Sequence, residues 1–118
     1  MNLVQVLHNN RCTKSRNALA LLEQKGIQFD VVNYLDGVLS EADIRSLLKK
    51  LDLKPEEIIR KSEAIYKEKY KGKSFTDTEW IQILQKEPKL IERPILYNQK
   101  TAVVGRPLEN VEKFLKAL

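Results

Sequence analysis

Cys12 is the only cysteine in the chain, and its neighbours are of the kind that make a thiol reactive. Arg11, Lys14 and Arg16 surround it with positive charge, and an apolar helical pattern begins directly after it. A helix start carries unpaired backbone N–H groups and a partial positive charge, both of which stabilise a thiolate. At such positions a cysteine pKa falls from about 8.5 to between about 3.5 and 7.5. The same N–H groups bind anions, so one place can activate the sulfur and hold an oxyanion for it to attack. His8, the only histidine, precedes Cys12 by one short segment. It is a candidate for tuning the thiol, as are Ser15 and Arg16 in the first helical turn. The plainer alternatives are a hydrogen bond from His8 that closes its strand and a buried structural role for Cys12. A core cysteine, however, sits more often inside an apolar run than between Arg11 and Thr13.

Away from Cys12 the notable side chains are arginines. Glu92-Arg93-Pro94-Ile95 and Gly105-Arg106-Pro107 set two Arg-Pro pairs on either side of a hairpin pattern. With Arg60 they offer permanently charged, planar forks suited to a tetrahedral oxyanion. One cysteine rules out an intramolecular disulfide and a zinc site of several thiolates. One histidine speaks against a Cys-His-Asp hydrolase and a multi-histidine metal centre, and no metal is expected.

These residues need elements to hold them. Leu3 to Leu7 is short, β-prone and followed by polar Asn9-Asn10, which reads as a buried strand. Thr13 to about Lys25 is helical, with Ala18, Leu19, Leu21 and Leu22 on one side and Gly26 where a helix C-terminus favours positive φ. Phe29 to Tyr34 reads as a second strand, and the short links argue a right-handed βαβ unit with a parallel pair. Ser40 with Asp43 opens a helix through Ile44, Leu47, Leu48 and Leu51. Pro55 starts another to about Lys61, and Thr76 with Glu79 a third through Trp80, Ile83 and Leu84 that stops at Pro88. Ile95 to Tyr97 and Thr101 to Val104 flank the turn Asn98-Gln99-Lys100 as an antiparallel hairpin. Pro107 then pre-sets a last helix with Val111, Phe114, Leu115 and Leu118 on its core face.

The order βαβ, helices, ββα describes an α/β fold of thioredoxin-like arrangement. It has a mixed four-stranded sheet and a helical insertion at about 40–90, all within one domain, 1–118. In that arrangement a proline directly before the third strand is the candidate for a cis-proline loop facing the cysteine, which singles out Pro94.

Length and composition agree with a single folded domain. The 118 residues are 42% hydrophobic and 31% charged, too apolar for a disordered chain. No run approaches the ~20 apolar residues of a membrane span, and the N-terminus lacks a signal-peptide pattern, so the expected location is cytoplasmic. The net charge of +5 suits anionic partners. Its densest patch, Lys67, Lys69, Lys71 and Lys73, reads as a solvated helix end and loop, so neither nucleic acid nor membrane is an expected partner.

His8-Asn9-Asn10-Arg11-Cys12-Thr13-Lys14-Ser15-Arg16-Asn17 resembles the active-site segment of the ArsC family, the glutaredoxin-linked arsenate reductases. Leu90-Ile91-Glu92-Arg93-Pro94-Ile95 and Val104-Gly105-Arg106-Pro107 are similar to its second and third signatures. Ile58-Ile59-Arg60-Lys61 matches the segment of a further family arginine, and the motifs run in family order over essentially the whole chain. The resemblance implies that Cys12 attacks arsenate as a thiolate to form a covalent thiol–arsenate adduct. Glutathione then displaces water, arsenic is reduced, and glutaredoxin removes the glutathione. It further implies that Arg60, Arg93 and Arg106 bind the oxyanion and that His8 helps set the thiol's pKa. Glutathione would be a co-substrate, with no tightly bound cofactor. The cysteine count fits this route, because a two-electron reduction needs a second thiol that this chain does not have. Arsenate reductases that relay electrons through several of their own cysteines are excluded on the same ground.

Two other classes share parts of the pattern. Regulators of the Spx type, which bind RNA polymerase, usually carry Cys-x-x-Cys as a redox switch. Here Ser15 holds the second position, and no internal disulfide can form. Monothiol glutaredoxins are compatible with Cys12-Thr13-Lys14-Ser15, but the Gly-Gly pair they usually carry after the cis-proline is absent. An ArsC-like thiol oxidoreductase acting on another oxyanion, or on a glutathionylated substrate, is a third alternative.

Overall fold

Alternating burial along Val4-Gln5-Val6-Leu7 builds the strand from which the fold is organised: both valines and Leu7 are wholly buried, and Gln5 is not. The computed structural model describes residues 4–9 and 11–117. Leu3 of the first strand, Asn10 of the segment before Cys12 and Leu118 of the last helix lie outside the described residues. The chain divides into two compact units. One comprises the residues up to Asp36 and from Arg93 onward, and the other is Gly37–Glu92.

The first unit holds β1 (Val4–Leu7), α1 (Thr13–Gln24), β2 (Phe29–Val32), β3 (Ile95–Tyr97), β4 (Ala102–Val104) and α5 (Leu108–Lys116). Its sheet runs β2-β1-β3-β4. β1 pairs with β2 in parallel, with Val6 opposite Val31, and with β3 antiparallel, with Val6 opposite Leu96. β3 and β4 form the antiparallel hairpin. Its turn is held by the buried Asn98, whose Oδ1 accepts from the N–H groups of Lys100 and Thr101 at 2.8 Å. The sheet is therefore mixed and four-stranded, with helices, as the sequence implies.

Val4, Val6, Ala18, Leu22, Leu96, Val111 and Phe114 form one buried cluster, so α1 and α5 bury their apolar stripes against the central strands. Gly26 follows α1 at φ 69°, a backbone conformation that glycine adopts without steric cost. β2 ends at Val32, shorter than the expected run to Tyr34. Tyr34 instead opens a 3₁₀ turn, Tyr34–Asp36, and is wholly buried.

The second unit holds α2 (Glu41–Leu51), α3 (Ala64–Lys69) and α4 (Asp77–Lys86). Ser40 and Asp43 exchange hydrogen bonds at 2.9 and 3.1 Å, and Thr76 and Glu79 at 3.0 and 3.1 Å. Both capping boxes read from the sequence are thus formed. Phe75 and Trp80 meet edge-on with ring centroids 4.7 Å apart. The helix expected from Pro55 to about Lys61 is a single 3₁₀ turn, Pro55–Ile58. β-branched Ile59 is extended there and pairs antiparallel with Ile91, a distant partner that outcompetes the next helical turn. α3 was not resolved from the sequence as a separate helix, and it ends at Lys69 within the lysine-rich patch. Among the described residues no helix is long and apolar enough to cross a membrane.

Candidate active site

Cys12 is the N-cap residue of α1, in the extended conformation at φ −96° and ψ 118°. Its own N–H donates to Asn9 O at 2.9 Å, and its carbonyl accepts from Arg16 N at 3.1 Å. A tight turn after β1 therefore delivers the sulfur to the helix start, where an N-cap side chain faces the first free N–H groups. Ser15 stands at N3, the position such a cap serves.

Arg106 brings the other end of the chain to the sulfur. Its Nη2 lies 3.0 Å from Cys12 Sγ, and its Nε donates to Arg93 O at 2.6 Å. The guanidinium is thus held at two points, one on the thiol and one on the backbone of the other Arg-Pro pair. Both Arg93–Pro94 and Arg106–Pro107 are cis peptides. The two loops are joined by Gly105 N donating to Pro94 O at 2.8 Å.

Gly105 allows that approach. A Cβ there would lie 2.9 Å from Pro94 Cγ, 3.0 Å from Val111 Cγ2 and 3.3 Å from Leu96 Cδ1. Gly105→Ala is expected to destabilise the protein by about 1–3 kcal/mol through this overpacking and to push the two Arg-Pro loops apart. Chemical denaturation measures the first effect, and a raised pH midpoint for Cys12 alkylation the second.

Burial by itself pushes the Cys12 thiol up. It is outweighed by the Ser15 backbone N–H, the Ser15 hydroxyl, a hydrogen bond from Arg93 and the charge of Arg106, which together bring the thiol from 9.0 down to about 7. The sulfur stands near the Ser15 N–H and hydroxyl without completing a cap hydrogen bond to either. The buried Ser15 hydroxyl has no other hydrogen-bond partner, which leaves its hydrogen free for a thiolate. Arg93 is only 9% exposed. Burial disfavours its charge, but the charge and hydrogen bond of Tyr34, together with Cys12, more than compensate and hold the guanidinium above its ordinary value. Tyr34 is fully buried, and a buried phenol requires a polar partner for its hydroxyl. Here that partner is Arg93. The result is a chain of contacts from Tyr34 to Arg93 to Cys12 to Arg106, carrying two fixed positive charges against one titratable sulfur.

The other sequence candidates stand differently. His8 is buried at 3% exposure, and its backbone N–H donates to Val32 O at 3.1 Å, which extends the β1–β2 pairing. Ser15, Arg93 and Arg106 lower the thiol. Arg16 is exposed and turns to Thr13 Oγ1 at 3.2 Å. Arg60 lies in the second unit, where its N–H donates to Leu90 O at 2.7 Å. Its guanidinium sits 3.5 Å from Glu63 and 3.8 Å from Glu92. No group of three or more His, Cys, Asp or Glu among the described residues is arranged to hold a metal ion.

The ArsC family model matches residues 7–114, a span that includes every one of these side chains. This chain belongs to the ArsC family. Among ArsC relatives, the arsenate reductase of Neisseria meningitidis serogroup B is 38% identical over 114 residues, covering 95% of this chain and 97% of that protein. The YfgD protein of Escherichia coli K12 is 40% identical over 110 residues, covering 92% of each. The solved structure of an arsenate reductase from Vibrio cholerae superposes with a TM-score of 0.88 at 37% identity, covering 99% of this chain and 98% of that one. The mixed sheet and its helices are thus the thioredoxin-like fold of the ArsC proteins.

The sequence does not mark Tyr34 or Gly105 of this ArsC chain as candidates, although both stand against the Arg-Pro pairs. Gly105 could have been noticed as a glycine between a strand and an Arg-Pro pair. Tyr34 gave only the weak signal of an aromatic ending a β-branched run.

Proposed function

We propose that this protein reduces arsenate to arsenite, with Cys12 as nucleophile and with glutathione and glutaredoxin as the source of electrons. The observation that carries the reading is Arg106 Nη2 at 3.0 Å from a sulfur whose pKa lies at about 7. A thiol so placed is roughly half ionised near neutral pH, and two guanidinium groups stand beside it for an anion. Support for arsenate as that anion comes from relatives named arsenate reductase at 36–38% identity.

The Cys12 thiolate attacks arsenic(V), an S–As bond forms, and one arsenate oxygen leaves as water after protonation. Arg93 and Arg106 offset the negative charge on the remaining oxygens. A glutathione thiol then displaces a second water, so that arsenic carries two sulfurs. Attack of a glutaredoxin thiolate on the glutathione sulfur forms a mixed disulfide and leaves the electron pair of the broken S–As bond on arsenic, which becomes arsenic(III). Hydrolysis of the remaining S–As bond returns Cys12 and releases arsenite. Two external thiols become one disulfide, which balances the two electrons taken up. Binding of an oxyanion at an N-capped thiolate between arginines needs no metal in this scheme.

The test is an arsenate-dependent assay in which glutathione disulfide formation is coupled to NADPH oxidation, with each component left out in turn. Turnover is expected only when glutathione, glutaredoxin and this protein are all present. Full turnover without glutaredoxin, or none with all three, would overturn the reading.

A further inference from the structure

The last helix begins on a proline, and this alters what its first turn requires. In α2 and α4 the residue at N3 is an acid, Asp43 or Glu79, which accepts from the backbone N–H of the N-cap residue. The N-cap of α5 is Pro107, which has neither an N–H to offer nor a side-chain oxygen to cap with. An acid at N3 would have nothing to accept from there. The chain has Asn110 at that position, and its side chain works in the opposite sense, as a donor. Nδ2 donates to Val104 O at 3.2 Å and to Arg106 O at 3.0 Å, while the backbone N–H donates to Pro107 O at 3.0 Å. Both side-chain partners are carbonyl oxygens, so the amide nitrogen must be the atom that faces them.

One amide thus ties the end of β4, the residue before Pro107 and the first turn of α5. Gly105 lies between the two tied carbonyls, against Pro94 and Val111. Arg106 is carried by the same strap, and its guanidinium is anchored at 2.6 Å to Arg93 O and at 3.0 Å to Cys12 Sγ. Hydrogen bonds of these lengths do not survive a displacement of about 1 Å.

We propose that Asn110 is a positioning residue: by bridging the carbonyls of Val104 and Arg106, it fixes the backbone from which the Arg106 guanidinium reaches Cys12. It does not touch the sulfur and acts only through Arg106. The inference deepens the functional reading above, because it rests on Arg106 acting on Cys12. Alkylation of the single cysteine reads that contact with no oxyanion present, so a failed arsenate assay and a failed role for Asn110 are told apart.

The discriminating variant is Asn110→Asp. Its shape is that of Asn, and an acid in the first turn favours a helix, so the start of α5 is not weakened by it. Its carboxylate, however, faces two carbonyl oxygens with no hydrogen to give. The pH midpoint of Cys12 alkylation is expected to move up toward that of Arg106→Ala, and kcat/KM in the coupled assay to fall by about tenfold. Asn110→Gln, which keeps the donor, is expected to recover most of both. In an Arg106→Ala background, Asn110→Asp is expected to leave the midpoint where Arg106→Ala alone sets it. A wild-type midpoint in Asn110→Asp, or an equal further shift in the Arg106→Ala background, would overturn the proposal. Should the Asp variant melt below the assay temperature, Asn110→Ala and Asn110→Gln decide the matter. A shift in Ala but not in Gln supports the role, and any other pattern overturns it.

Discussion

Cys12→Ser is expected to bring arsenate turnover down to the rate of glutathione and glutaredoxin alone, a loss on the order of 10³-fold or more. Serine keeps the size and position of the side chain, but its hydroxyl stays protonated throughout the working pH range and is a poor partner for arsenic. No other thiol in the chain can take over. Ser15 is wholly buried, and its hydroxyl serves to lower the thiol. Arsenite formation measures the loss. The same variant tests the charge at the helix start through stability. The thiol's pKa is lower in the folded chain, at about 7, than its ordinary 9.0. Ionisation therefore favours folding fully above pH 9, and that contribution is lost as the pH falls through 7. Wild type is expected to gain stability over Cys12→Ser as the pH is raised across this window, and not below it.

Arg106→Ala is expected to have the second largest effect, a fall in kcat/KM of about 10²–10³ near pH 7. Two losses combine in it. Burial pushes the thiol up, and removing the Arg106 charge removes part of what opposes that push, so the thiol rises from about 7 toward its ordinary range. At neutral pH less thiolate is then available. The fork that faces the oxyanion is lost as well. The two separate with pH, because raising it restores the thiolate and does not restore the fork. The deficit is thus expected to shrink between pH 7 and pH 9 and then to level off, and the residue that remains measures the oxyanion contact. Arg106→Lys keeps a charge but cannot hold both Arg93 O and Cys12 Sγ, so it belongs between wild type and Ala. A pH-independent deficit would mean that Arg106 does not act on the thiol.

What the sequence displayed and what it hid follow from the range of the interactions. The caps at Ser40 and Thr76 need only residues three apart, and both were legible. So was Cys12 as the residue before α1, since the apolar periodicity of Ala18 and Leu22 dates the helix start. The short β-prone run from Leu3 to Leu7 and the polar turn at Asn98 likewise point to the sheet elements. The Pro55 helix was overdrawn because Ile59 finds its partner in Ile91, which no local window contains. At the site, the charges adjacent to Cys12 in sequence are legible, and the contact that Arg106 makes with the sulfur is not. Arg16 donates to Thr13 Oγ1, whereas Arg106 arrives at the sulfur from the far end of the chain. Tyr34 stayed hidden because its role depends on burial next to Arg93. Asn110 stayed hidden because an asparagine in a helix attracts notice only once the N-cap is seen to be proline.

Attack on arsenic requires a sulfur that is ionised at neutral pH, and having one cysteine makes that directly measurable. The rate of Cys12 alkylation by iodoacetamide, followed from pH 5 to pH 10 by intact mass, reports this thiol once the slow background of the Cys12→Ser variant is subtracted. A single titration with its midpoint at about 7 is the predicted result. A midpoint at or above the ~8.5 of a free thiol would contradict the activation of Cys12 by Ser15, Arg93 and Arg106.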